Sequence, residues 1–276
     1  MNELVTTQWL AVHQGDVRVV DANWYMPDDP RNAEQDYLTG HIPGAVYFDI
    51  DAVADRSSDL PHMMPSPAQF AGQVGALGIG SDSSVVVYDH TGLFSAPRVW
   101  WMFKAMGHDK VAVLDGGLPG WRADGHAVEA GRVTPRPAVF VPSPRPQTVR
   151  HFPDVMAIVE NRTAQIIDAR SAGRFNAQEP EPRAGVRGGH MPGAVNVPWR
   201  SVVTAQGTLK PDDELSAIFA RSGIDVRAPI VTTCGSGISA AILTLALNRI
   251  GASNVALYDG SWTEWGARPE APVERP

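Results

Sequence analysis

A chain of 276 residues has room for one large domain or two of ordinary size. With 43% hydrophobic and 19% charged residues it reads as a globular protein able to bury a sizeable core. The balance of 23 basic and 30 acidic residues, a net charge of −7, argues against a nucleic-acid binder, which would need basic surface to neutralise phosphates. No apolar run approaches the ~20 residues that span a bilayer, and residues 1–20 lack the basic-then-apolar order of a secretory signal. One cysteine permits neither an intramolecular disulfide nor a cysteine zinc cluster, and a lone thiol fits a reducing cytoplasm.

Taken in chain order, the pattern of the first half returns in the second. Val19-Val20-Asp21-Ala22 recurs as Ile166-Ile167-Asp168-Ala169, and Gly40-His41-Ile42-Pro43-Gly44-Ala45-Val46 as Gly189-His190-Met191-Pro192-Gly193-Ala194-Val195. The stretch 85–121 runs without a gap onto 229–265, matching Ser95-Ala96 to Ser239-Ala240, Asp115-Gly116 to Asp259-Gly260, and Trp121 to Trp265. The chain is therefore two copies of one unit. Between them Pro135, Pro137, Pro142, Pro144 and Pro146 resist helix and central strand, so we expect a domain over 1–131, an extended linker over 132–147 and a second domain over 148–276.

Each copy alternates strands with helices. In the second, residues 165–168, 229–233 and 255–258 read as short buried strands. Ile238, Ala241, Ile242, Leu245 and Ala246 mark one face of a helix that ends near Gly251, and Asp212 opens another helix running to Arg221. The expected fold is α/β: two tandem domains, each a mainly parallel sheet flanked by helices. Trp24, Trp100, Trp101, Trp121, Trp262 and Trp265 are expected to be packing residues, and no histidine spacing predicts a metal site.

A lone cysteine is by default a small buried hydrophobe. The neighbours of Cys234 change that reading. It follows the strand 229–233, and the loop Cys234-Gly235-Ser236-Gly237-Ile238-Ser239-Ala240 opens the next helix. Ligands of open α/β sheets bind at this end of the strands. Gly235 and Gly237 allow successive N–H groups to turn inward as an anion-binding nest. A thiol in such a setting is biased toward the thiolate, the form that attacks sulfur.

The duplication, the Gly-His-Ile/Met-Pro-Gly-Ala motif of each half, the Asp-Gly…Trp segment and the single Cys loop together resemble the two-domain rhodanese family over nearly the whole chain. That resemblance implies tandem rhodanese-like domains, a catalytic second copy carrying a transient persulfide on Cys234, no other cofactor, and a first copy without the nucleophile. The ungapped match sets His90 against Cys234. The neutral loop is similar to that of the family's 3-mercaptopyruvate branch, whereas thiosulfate-using members carry basic loop residues. The stretch Gly173-Arg174-Phe175 through Glu179-Pro180-Glu181-Pro182-Arg183 resembles the same branch, in which the matching arginines, Arg174 and Arg183, hold the donor's carboxylate and keto oxygen. Gly235, Gly237, Ile238 and Ser239 would complete the binding loop, with Ser239 alternatively capping the helix, and Ser236 would bond the substrate or a developing enolate. His41 is a candidate to relay a proton to Ser236, oriented by Asp36 or Glu34; its duplication as His190 points instead to a structural task such as bonding a loop carbonyl. The expected acceptors are a small thiol, thioredoxin or cyanide.

Three alternatives remain at this level: thiosulfate:cyanide transfer on the same scaffold, a cysteine phosphatase and a non-catalytic binding module. The phosphatase loop needs an arginine at the end of Cys-x5-Arg, where this chain has Ala240. A retained cysteine in a glycine-rich loop counts against the binding module.

Overall fold

The computed structural model describes residues 2–275. It divides into two compact units: the chain up to Arg56 with Met64–Arg145 and Ala205–Leu209, and Ser57–Met63 with Pro146–Thr204 and the chain from Lys210 onward. The division departs in detail from the expected 1–131, 132–147 and 148–276. The proline-rich stretch lies on the first unit as far as Arg145, because its main chain is bonded there: Val139 accepts from Ser81, Ala138 donates to Gly75, and Ser143 donates to Met106. Each sequence repeat also contributes a short segment to the other unit.

The first unit contains β1 (Leu4–Val5), α1 (Thr7–His13), β2 (Arg18–Asp21), α2 (Ala33–Thr39), β3 (Val46–Tyr47), α3 (Ile50–Val53), α4 (Pro67–Ala76), β4 (Val85–Tyr88), α5 (Ala96–Ala105), β5 (Val111–Leu114) and α6 (Gly117–Ala123). The second contains β6 (Val149–Arg150), α7 (Phe152–Asn161), β7 (Gln165–Asp168), α8 (Ala172–Phe175), β8 (Val195–Asn196), α9 (Asp212–Arg221), β9 (Ile230–Thr233), α10 (Ala240–Arg249), β10 (Val255–Tyr258) and α11 (Ser261–Trp265). The sheets have one topology, β1-β5-β4-β2-β3 and β6-β10-β9-β7-β8, with every pairing parallel.

Apolar β-branched residues fill the central strands because both sheet faces are covered: every residue of β4, β5 and β9 is buried. Each unit has its own core, one around Leu10, Tyr88 and Trp121, the other around Ile166, Tyr258 and Trp265. All six named tryptophans are buried. Helix α10 is buried on more than its expected face, from Ala240 through Leu247, since it packs against β9 and β10 on one side and α9 on another.

The Gly-His-x-Pro-Gly-Ala motif is a clasp in both units. His41 exchanges main-chain hydrogen bonds with Glu129, and His190 with Glu274, so each motif holds a later segment of its own unit. No helix among the described residues is long and apolar enough to cross a membrane.

Candidate active site

In the second unit the chain runs from β7 outward to β8 and then returns to the other side of β7 as β9. The loops after β7 and β9 therefore diverge at the carboxyl ends of neighbouring strands, which opens a crevice there. Cys234 follows β9, and Arg174 lies in α8, shortly after β7. Arg174 was expected on a loop; it stands instead on one helical turn whose Ser171 cap accepts its N–H.

Cys234 is 2% exposed, and the Gly237 N–H donates to its Sγ at 3.1 Å. The two loop glycines are required for different reasons. Gly237 has φ +82°, a left-handed conformation that disfavours side chains. Gly235 has no such angle; a Cβ there would stand 3.0 Å from Arg174 Nη2, so the guanidinium lies against the bare α-carbon. Ile238 is buried at the loop's end. Ser239 occupies the N-cap position of α10, but its side chain makes no capping bond, because its backbone is already helical. Ser236 is buried, and its carbonyl accepts from His62 Nδ1 at 3.2 Å.

The segment after β10 fixes the loop's main chain. Trp262 N–H donates to the Cys234 carbonyl, and both the N–H and the hydroxyl of Thr263 donate to the Gly235 carbonyl. Ser261 Oγ accepts the Cys234 N–H at 3.3 Å and donates to the Tyr258 carbonyl. Arg183 Nη1 lies 3.4 Å from Thr263 Oγ1. Arg174 and Arg183 thus both reach the Cys234 loop, the first against Gly235 and the second through Thr263.

Behind Arg174 lies Arg170, whose side chain is fully buried between Asp168, Glu181 and the face of Trp262. Burial disfavours its charge, but Asp168 and Glu181 more than offset this and hold its pKa above the ordinary arginine value.

His41 does not fit a relay to Ser236. Its Nδ1 donates to the Tyr37 carbonyl at 2.8 Å, its Nε2 lies 3.2 Å from Glu129 Oε1, and its ring stacks on Tyr37. Both nitrogens are committed within the first unit. His190 repeats the arrangement with Phe175 and Glu274. The residue that orients His41 is Glu129; Asp36 bonds Tyr25 and Glu34 pairs with Arg132. The histidine that meets Ser236 is His62, which sequence reasoning missed. It is 4% exposed and holds φ +61°, an uncommon conformation for a side-chain-bearing residue.

The first unit's loop also differs from the ungapped match. Strand register pairs Asp21 with Tyr88 and Asp168 with Thr233, so Asp89, not His90, corresponds to Cys234. Main-chain bonds agree: the Asp89 carbonyl accepts from Leu118 as the Cys234 carbonyl accepts from Trp262. The first loop carries one extra residue before Ser95, which hides the shift from a gapless comparison. Asp89 Oδ2 accepts the N–H groups of Phe94, Ser95 and Ala96 at 2.7, 2.9 and 3.0 Å. The first copy is a closed nest filled by its own carboxylate.

A recess of about 350 Å³ at the amino ends of β7 and β9, bordered by Ile158, Ile166 and Pro229, is on the other edge of the sheet from Cys234. Among the described residues no group of three or more His, Cys, Asp or Glu side chains is placed to hold a metal.

The rhodanese-like domain matches the chain twice, over residues 6–124 and 153–268. This chain belongs to the rhodanese-like family. Among relatives of the same family, the 3-mercaptopyruvate sulfurtransferase of Escherichia coli (strain K12) is 48% identical over 273 residues, covering 98% of this chain and 97% of that protein. The thiosulfate sulfurtransferase of Bos taurus is 42% identical over 280 residues, covering 98% and 93%. The crystal structure of a 3-mercaptopyruvate sulfotransferase from Escherichia coli superposes with a TM-score of 0.87 at 45% identity, covering 95% of this chain and 99% of that one. In rhodanese-like terms, the second unit carries the cysteine loop and the first a copy closed by Asp89.

Proposed function

We propose that this protein transfers sulfur from 3-mercaptopyruvate to a thiol or cyanide acceptor through a persulfide on Cys234, releasing pyruvate. The observation that carries the reading is the pairing of a loop without basic residues, Cys234 to Ser239, with the Arg174 guanidinium against Gly235. A donor with one carboxylate and a thiol sulfur matches that pairing: the guanidinium takes the carboxylate while the sulfur lies over Cys234.

In the first step the Cys234 thiolate attacks the donor's sulfur. The new S–S bond forms as the C–S bond breaks, and the electron pair passes to carbon and on to the keto oxygen as the enolate of pyruvate. The proton given up by the donor's thiol ends on that carbon. We assign its transfer to Ser236, a buried hydroxyl on the Cys234 loop whose main-chain carbonyl accepts from His62. In the second step an acceptor removes the outer sulfur. Cyanide takes it as thiocyanate and restores the thiolate; a small thiol or thioredoxin takes it as its own persulfide. Splitting one hard transfer into two steps is covalent catalysis.

The closed copy supports the persulfide. In aspartate the carboxylate oxygen stands two bonds beyond Cβ, as the outer sulfur does in a cysteine persulfide. Asp89 Oδ2 receives three loop amides, whose counterparts at the start of α10 are those of Ile238, Ser239 and Ala240. The first N–H groups of a helix lack intrahelical partners, so they are suited to an anionic sulfur. We also propose a cytoplasmic setting, in keeping with the single unpaired thiol.

Pyruvate release and thiosulfate-dependent thiocyanate formation, measured side by side on the purified protein, test the reading. A higher kcat/KM for mercaptopyruvate, lost in Cys234→Ser, is expected. Higher kcat/KM for thiosulfate, or full activity in the serine variant, would overturn it.

A further inference from the structure

We propose that Glu181 sets the charge of the donor site and so selects a monoanionic sulfur donor over a dianionic one; this rests on the assignment of Arg174 to the donor's carboxylate. The basis is an alternating ionic chain within the second unit. Asp168 Oδ2 lies 2.6 Å from Arg170 Nη2, Arg170 Nη1 lies 2.7 Å from Glu181 Oε1, and Glu181 Oε2 lies 2.5 Å from Arg174 Nη2. The side chains of Asp168, Arg170 and Glu181 are 1%, 0% and 4% exposed, and only Arg174, at 21%, meets solvent.

Two carboxylates balance two guanidinium groups along this chain. Arg174 therefore offers directed N–H donors to a ligand while the chain as a whole adds no net positive charge. Glu181 takes the Nε and Nη2 side of Arg174, which leaves the Nη1 end for a donor. A monocarboxylate is satisfied by such directed bonds. A compact dianion such as thiosulfate needs more positive charge than Arg183, which reaches the loop through Thr263, brings by itself, and the loop from Cys234 to Ala240 holds no Lys or Arg to add to it. Because Glu181 is buried, its charge is little screened by salt. Removing that charge should favour the dianion relative to the monoanion by about tenfold, the size of one charge acting across several ångströms of a partly wet site.

The test compares kcat/KM for 3-mercaptopyruvate and thiosulfate. In Glu181→Gln the ratio of the two should fall about tenfold, chiefly through a lower KM for thiosulfate. Glu181→Asp keeps the charge and should hold the ratio near that of the unaltered protein even where both rates drop. Arg170→Gln removes a positive neighbour and should move the ratio the other way. Since these side chains are buried, the unaltered protein supplies an arm that needs no variant: pyruvate should inhibit mercaptopyruvate turnover at lower concentration than inorganic sulfate. Equal loss of both donors in Glu181→Gln, an unmoved ratio, or tighter inhibition by sulfate would overturn the proposal. Failure of the unaltered protein to turn over mercaptopyruvate would instead remove the donor assignment beneath it.

Discussion

Ser261 holds φ +50°, a conformation that its counterpart in the first unit, Gly117, adopts as a glycine at +53°. A serine in that region is strained by about 1 kcal/mol or more. What it gains is visible: its hydroxyl receives the Cys234 N–H, which Gly117 has no side chain to do for Asp89. Ser261→Gly should therefore leave or slightly raise the melting temperature while lowering kcat, since the backbone relaxes but the nucleophile's main chain loses an acceptor. A parallel loss of stability and activity would contradict this. His41 makes the opposite case. With both nitrogens committed and the ring fully buried, His41→Ala should cost about 2 kcal/mol of stability. Its kcat/KM, measured below the melting temperature, should stay within about twofold. A kcat loss of a hundredfold or more would return His41 to the chemistry. The sequence singled out this histidine but not its task; the repeated motif gave the hint, and the bonds to Tyr37 and Glu129 gave the reason.

The elements were legible where local pattern and burial agree. Strands β7 and β10 and helix α9 have the limits expected from apolar runs and first-turn carboxylates. Register was not legible, because the extra residue in the first unit's loop leaves the helices after it in step with the gapless match, and the shift shows in the strand pairing and main-chain bonds of the segment before it. Asp89→Ala removes the carboxylate that holds three amides and should lower the first unit's stability by about 2 kcal/mol, an upper-range value for a charged, multiply bonded buried group. Protection of the Phe94, Ser95 and Ala96 amides against hydrogen exchange would be the direct measure, and unchanged protection would contradict the closed-nest reading. Between α5 and β5, Asp109 lies 2.9 Å from Lys104 and 2.6 Å from Arg145. The Arg145 guanidinium holds its carboxyl below the usual carboxylate range, with Lys104 adding to the effect. A depressed folded-state pKa contributes stability above the unfolded value near 4 and loses it as pH falls through the folded value. The pair is half exposed, so the contribution is about 0.5 kcal/mol. Urea midpoints of Asp109→Asn should match this loss at pH 7 and converge with the parent at the acid end.

For the molecule as a whole the decisive fact is one cysteine in two copies of one fold. Incubation with mercaptopyruvate and no acceptor should release one pyruvate per chain and add one sulfur atom to the intact mass, with neither event in Cys234→Ser. A second added sulfur, or pyruvate release without any mass gain, would contradict a single persulfide carrier. Turnover with both substrates should follow ping-pong kinetics, because the donor's product leaves before the acceptor reacts.

By itself the sequence determined the duplication, the α/β architecture, the place of Cys234 at the end of a central strand and the neutrality of its loop, since each follows from local composition and short-range order. Only the tertiary structure decided that Glu181 stands between Arg170 and Arg174, that His62 rather than His41 meets Ser236, and that Asp89 fills the first copy's nest. The contact of His62 with Ser236 joins residues 174 apart, whereas the bonds of Glu181 to Arg170 and Arg174 and of Asp89 to residues 94–96 span 5 to 11 residues and depend on how their loops fold. Their physical basis is packing and charge balance around a buried guanidinium and a folded loop, which no spacing along the chain encodes.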